Sequence, residues 1–161
     1  MSKQLAHIGS FTKLRGDVNI YVTNVLTKEK VRYRIRNTIT YDGLSGIIKL
    51  LAQNSGDVLA DYQIKSLRVG TGTIAPTRAD TALVAEVFSM PLVDVDRVET
   101  IATSQLVITK TLQTTEANGN TLVEAGLFYN NGTLFARQIH PAIPKTVIIT
   151  VTYEWQISFT S

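Results

Sequence analysis

Val147-Ile148-Ile149-Thr150-Val151-Thr152-Tyr153-Glu154-Trp155-Gln156-Ile157-Ser158-Phe159-Thr160, the carboxyl-terminal run of the chain, alternates with a period of two. In an extended backbone Val147, Ile149, Val151, Tyr153, Trp155, Ile157 and Phe159 fall on one side, and Ile148, Thr150, Thr152, Glu154, Gln156, Ser158 and Thr160 on the other. Only the first side suits a core, so the run is a strand that needs sheet partners and a second layer over its apolar face. Fourteen residues at a rise of about 3.3 Å reach roughly 46 Å, longer than an ordinary strand. The expectation is a strand that bends or overhangs the domain edge, and an overhanging edge is a rail for another chain.

The same period recurs upstream. Val31, Tyr33 and Ile35 interleave with Arg32, Arg34 and Arg36, and Val18, Ile20 and Val22 precede them across the polar connection Asn24–Lys30, which predicts an antiparallel hairpin. Further strands are expected over Ile64–Gly70, Phe88–Val95, Ser104–Leu112, Leu122–Tyr129 and Thr133–Ile139, with Asn118-Gly119 and Asn131-Gly132 supplying positive-φ turn residues. One helix interrupts the pattern, over about 43–53, with Asp42 as its cap and Asn54-Ser55-Gly56 as its stop. Its broad apolar face, Leu44, Ile47, Ile48, Leu50 and Leu51, is expected to lie on the sheets. A second helical turn is expected over Ala79–Val87. No repeat, low-complexity tract or linker divides the chain. Residues 1–161 therefore read as one all-β domain, an antiparallel β-sandwich or jelly-roll-like fold with one packed α-helix, and residues 1–13 as an extended arm.

A chain of 161 residues can bury a core without cross-links. It has no cysteine, which excludes a disulfide framework, a thiolate zinc site and a cysteine nucleophile. No run approaches the roughly 18–20 apolar residues that span a bilayer, and Met1-Ser2-Lys3-Gln4 lacks the apolar run of a signal peptide. These features predict a soluble protein made in the cytoplasm, with no membrane partner. The net charge is only +3, but residues 1–78 carry 12 of the 16 Lys and Arg and 5 of the 13 Asp and Glu. Either the basic and acidic halves interleave in the fold, or opposite faces meet between neighbouring copies.

Catalytic chemistry finds little footing. His7 and His140 stand in no metal-ligand spacing, and His140, held extended by Pro141, reads as a turn or surface residue. No nucleophile-elbow pattern accompanies a Ser-His-acid set. Asp94 and Asp96 alternate onto one strand face beside Arg97, where a solvated edge outweighs an acid-base pair. Gly70-Thr71-Gly72-Thr73-Ile74-Ala75 meets a relaxed dinucleotide pattern, yet Pro76 and Thr77 follow at once and no βαβ unit surrounds it, so it reads as a glycine-rich loop leaving a strand. Trp155 and Tyr153 share a face with Val151 and Ile157, which favours core packing over sugar stacking. The expectation is a protein that is not an enzyme, with no cofactor and no metal.

Arg32, Arg34 and Arg36 are the candidate interaction residues, three guanidinium groups about 6.6 Å apart along one sheet face. They suit an acidic protein partner or a solvated face; a nucleic acid partner is disfavoured because Tyr33 lies on the opposite face.

Several landmarks follow in order: Arg36-Asn37-Thr38-Ile39-Thr40-Tyr41-Asp42-Gly43; Leu67-Arg68-Val69-Gly70-Thr71-Gly72-Thr73-Ile74-Ala75-Pro76; Asp80-Thr81-Ala82-Leu83 with Glu86; Glu124-Ala125-Gly126-Leu127-Phe128; and Gly132-Thr133-Leu134-Phe135-Ala136-Arg137. Together they resemble a family of small tailed-bacteriophage virion structural proteins and are similar to the amino-terminal domain of phage tail-collar fibre proteins. One departure is local: the family pattern has an Arg soon after the Glu86 position, where this chain has Val87-Phe88-Ser89-Met90. The resemblance implies an assembly role in the tail, baseplate, collar or tail-fibre attachment region, as a trimer or ring multiple among other virion proteins. A capsid decoration protein is the alternative, and a glycan- or nucleic-acid-binding module a more distant one. With no shaft or receptor-binding domain after Ser161, a complete receptor-binding fibre is not expected. Within the landmarks Gly70, Gly72, Pro76, Glu124, Gly126 and Phe128 are the candidate structural motif. Glu124 either anchors a loop through charge-assisted hydrogen bonds or is an ordinary exposed strand residue, and Gly126 permits close backbone approach.

Overall fold

The computed structural model describes residues 13–160. The arm expected at the amino terminus lies outside the described residues, except that Lys13 already belongs to the first strand. Among the described residues ten strands form two five-stranded antiparallel sheets. The first sheet runs β2 (Lys30–Arg36), β1 (Lys13–Asn24), β10 (Ile149–Thr160), β7 (Gln105–Leu112), β6 (Arg97–Thr100). The second runs β3 (Thr38–Ile39), β9 (Leu134–Pro144), β8 (Thr121–Tyr129), β4 (Ile64–Gly70), β5 (Glu86–Pro91). The protein is an all-β sandwich with one helix, α1 (Tyr41–Ala52).

The period-two reading of β10 holds through its middle but not at its ends, where Val147 precedes the strand and is exposed, Ile149 is only partly buried and Phe159 is half exposed. Val151, Tyr153, Trp155 and Ile157 are buried, while Thr152, Glu154, Gln156 and Ser158 between them are only partly covered. Across the sandwich they meet Leu67, Val69, Leu127 and Phe135 in one core, to which β1 adds Val18 and Ile20 and β7 adds Ile108 and Leu112. The expected overhanging rail is corrected, however. β10 is a central strand, paired with β1 from Lys13↔Thr160 to Asn24↔Ile149 and with β7 from Val151↔Leu112 to Ser158↔Gln105. Among the described residues the edge strands of the sheets are β2 and β6 in the first, β3 and β5 in the second. Asn37 marks the point where the chain passes from the first sheet to the second. With its amide oxygen turned to the indole, Asn37 accepts from Trp155 Nε1 and donates to the Gly16 carbonyl at 2.7 Å.

The helix differs from expectation at its cap and at its face. Thr40, not Asp42, is the N-cap: its hydroxyl accepts from Gly43 N at 2.9 Å and donates to the Leu134 carbonyl at 2.6 Å, tying the helix start to β9. The helix stops at Gln53, in the left-handed region at φ 48°. Its buried positions are Gly43 and Gly46, and Tyr129 donates its hydroxyl to the Gly43 carbonyl at 2.6 Å. Ile47 packs on the core, whereas Ile48 and Leu51 remain exposed. The small residues let the backbone come close to Tyr129 and Phe135, which turns part of the apolar face outward.

The second helical turn over Ala79–Val87 does not form. The amides of Val84 and Ala85 go to the Glu124 carboxylate instead of to helical carbonyls, and β5 begins at Glu86. Asp94 and Asp96 likewise leave the strand expected there for a short 3-10 turn, in which Asp96 accepts from Val93 N at 2.8 Å. Among the described residues no helix is long and apolar enough to cross a membrane.

Candidate functional site

A bulge in the β8–β9 pairing, between Leu122 and Glu124, resets the alternation of β8. Leu122, Ala125, Leu127 and Tyr129 enter the main core, and Glu124, Gly126 and Phe128 turn to the outer face of the second sheet. That face is covered by the loop 71–85, whose Leu83 packs with Phe128 and Leu134 in a small second cluster. Under the loop Glu124 is fully buried and Arg137 nearly so.

Glu124 accepts from Gly72 N at 3.1 Å, Ala85 N at 2.7 Å and Val84 N at 3.1 Å, so one carboxylate holds both ends of the loop. Arg137 completes the clasp. Its Nε donates to Glu124 at 2.9 Å, one terminal nitrogen to Asp80 at 2.6 Å and the other to the Ile74 carbonyl at 2.8 Å. Burial by itself raises the Glu124 carboxyl, but the amides of Ala85 and Val84 and the Arg137 guanidinium outweigh it and hold the group below its ordinary range. Asp80 is held low in the same way, burial being overcome by the Thr77 amide and hydroxyl and by Arg137. An acid with this low affinity for protons, its oxygens given to four donors, is suited to bracing backbone and poorly suited to general-base work.

The glycines of the candidate motif follow from this clasp. A Cβ on Gly70 meets the Ala85 carbonyl oxygen at 2.4 Å and Glu124 Oε1 at 2.6 Å, and one on Gly72 meets Glu124 Oε1 at 2.5 Å. Gly126 lies beneath Leu83, with less severe crowding. Phe128 is buried, with the Arg68 guanidinium 4.0 Å above its ring centre. Pro76 lies partly buried within the loop. Arg137 and Asp80 fell inside the landmarks but were not singled out. The usable signal was a lone acid in the apolar strand Leu122–Tyr129, which cannot be buried without a cationic partner.

Arg32, Arg34 and Arg36 are elsewhere, on the outer face of edge strand β2. Arg32 donates to Asn19 Oδ1 at 2.8 Å and lies over the Tyr21 ring, and Asn19 in turn donates to Glu154 at 2.9 Å. Arg34 and Arg36 form no ion pair among the described residues. Asp94 and Asp96 are not a carboxylate pair: Asp94 bonds Arg97, and Asp96 bonds Lys110 at 2.8 Å.

His140 corrects the turn-or-surface expectation, being buried within β9 with Nδ1 against the Pro141 carbonyl at 2.9 Å and Nε2 3.3 Å from the Tyr153 hydroxyl. Pro141 is tolerated there because the β8–β9 register slips from Glu124↔Ile139 to Leu122↔Ile143, which places it in the bulge, where no ladder amide is needed. Burial lowers the His140 pKa, partly offset by the Pro141 bond and the charge of Glu124. His7 lies outside the described residues. Among the described residues no group of three or more His, Asp or Glu side chains is placed to hold a metal ion.

At one end of the sandwich an open groove of about 830 Å3, walled largely by aliphatic and aromatic side chains, separates α1 from the β6–β7 turn. Compared with known protein families, with curated proteins and with solved structures, the chain matches none.

Proposed function

We propose that this chain is a non-catalytic structural subunit of a tailed-phage virion, working as a symmetric homo-oligomer in the tail, baseplate, collar or tail-fibre attachment region. The observation that carries the reading is convergence. The landmarks around Gly70–Pro76, Asp80–Leu83, Glu124–Phe128 and Leu134–Arg137, separated by up to 63 residues along a single bond, close on one buried network. Short matches arising by accident have no reason to share a network. What the network does is structural: it fixes a 15-residue covering loop, 71–85, in one shape, and a loop fixed before contact loses little entropy on docking. The arginine stripe supports the same reading, as an electropositive edge suited to an acidic neighbouring protein.

Reconstruction of the virion that contains this chain tests the proposal. The sandwich is expected in repeated copies about the tail axis. Copies spread over the head lattice would favour the capsid-decoration alternative, and particles without the chain would remove the virion reading altogether.

A further inference from the structure

Among the described residues β2 ends the first sheet, and its seven residues pair with β1 in unbroken register from Asp17↔Arg36 to Thr23↔Lys30. Two main-chain bonds bracket this hairpin, Asn24 N to the Glu29 carbonyl at 3.0 Å and Asn37 N to the Gly16 carbonyl at 3.1 Å. They fix the parity of the ladder, because bonded and non-bonded positions alternate in an antiparallel pair. Val31, Tyr33 and Ile35 therefore bond β1, and the amides and carbonyls of Lys30, Arg32, Arg34 and Arg36 point away from it. Such a row of outward main-chain groups is a template for another strand.

The same four positions carry the positive charge, and all four are exposed. On the inward face of β2, Tyr33 and Ile35 pack against the core, while Val31 is 43% exposed. The edge thus prescribes its occupant. An added strand repeats its side chains every 6.6 Å or so on each face, the spacing of the arginines. Acidic residues at alternate positions would meet Arg32, Arg34 and Arg36, and apolar residues between them would extend the cover over Val31, Tyr33 and Ile35. A second copy of this chain fits poorly. β2 against its own copy sets arginine opposite arginine, and β3, β5 and β6 hold no more than one acidic residue each. A nucleic acid would meet the guanidinium groups but leave the apolar side uncovered.

We propose that β2 takes an extended segment of a different protein as an added strand of the first sheet, a segment that alternates acidic and apolar residues. This occupant is the acidic neighbour already assigned to the arginine stripe, and so rests on that reading, with its backbone geometry added. Amide hydrogen exchange of the isotope-labelled full chain tests it, with a synthetic peptide of alternating Glu and Val, equal to β2 in length, as the probe. Exchange at Arg32, Arg34 and Arg36 is expected to slow several-fold on addition of the peptide, and at Val31, Tyr33 and Ile35, already bonded to β1, to change less. A peptide of the same composition with its Glu and Val residues in separate blocks is expected to protect these amides less. Combining Arg32→Gln, Arg34→Gln and Arg36→Gln is expected to weaken binding by about tenfold or more with the melting temperature nearly unchanged. Absence of binding, binding without protection at the three arginine amides, equal protection by the block peptide, or an oligothymidylate that binds at physiological salt more tightly than the alternating peptide would each overturn the added strand. Failure here is separable from failure of the virion reading: a chain found in particles whose edge the peptide does not protect loses only the added strand, and a protected edge in a chain absent from particles loses only the virion.

Discussion

Two sets of arginines sit on opposite sheets and behave in opposite ways. Arg137, on the second sheet, is buried with every nitrogen given to Glu124, Asp80 or the Ile74 carbonyl. Arg34 and Arg36, on the edge of the first, are exposed and form no ion pair among the described residues. A buried charge is tolerated only where its partners are complete, so it belongs to the architecture. An exposed charge costs the fold almost nothing and remains available to a neighbour. The same residue type thus braces one sheet and offers a surface on the other.

The largest effect is expected from breaking the clasp. Glu124→Gln keeps the size but removes the charge opposite buried Arg137 and points amide hydrogens at amide hydrogens. Unfolding by urea should report a loss of about 3–5 kcal/mol. Gly70→Ala comes next, at about 1–3 kcal/mol, because its Cβ would press on the Ala85 carbonyl at 2.4 Å. A loss within about 0.5 kcal/mol would mean that the loop is not pinned as described.

Acid should separate buried groups from the exposed stripe. The folded pKa of His140 lies below its ordinary 6.5, so the unfolded chain binds the proton first, and stability should begin to fall as the pH drops past about 6.5. Glu124 and Asp80 are also lowered, from ordinary values of 4.5 and 3.8. Their contributions are complete above those values and are lost as the pH falls through the folded ones. Thermal melts from pH 8 to pH 3 should therefore show two successive declines. Glu124→Gln should remove most of the second.

Much of this was legible in the sequence because one physical signal dominates it. The sequence pattern identified β4 and β10, with β10's buried face right from Val151 to Ile157 but not at Val147 or Phe159, and located the β1–β2 hairpin. The misreadings occur where a distant group outbids local preference. Thr40 caps the helix because Leu134, 94 residues away, accepts its hydroxyl, a bond no local pattern announces. Val84 and Ala85 fail to form a helical turn because their amides are claimed by Glu124. His140 is buried because a bulge accommodates Pro141. In the clasp, Glu124 and its glycines were visible as residues out of place in an apolar strand and a tight loop. Arg137 and Asp80 were not, since pairing across 57 residues is set by tertiary structure. The position of β10 in its sheet was hidden for the same reason: alternation gives the face of a strand and says nothing of its neighbours.

The smallest expected effect on stability is the most telling one for function. Changing Arg32, Arg34 and Arg36 together to Gln removes one side-chain bond, to Asn19, and should alter the unfolding free energy by no more than about 1 kcal/mol. Competition between this variant and the unaltered chain for incorporation into particles is the decisive measurement. Near-native melting with strongly reduced incorporation is the predicted result; equal incorporation of the two chains would contradict the account.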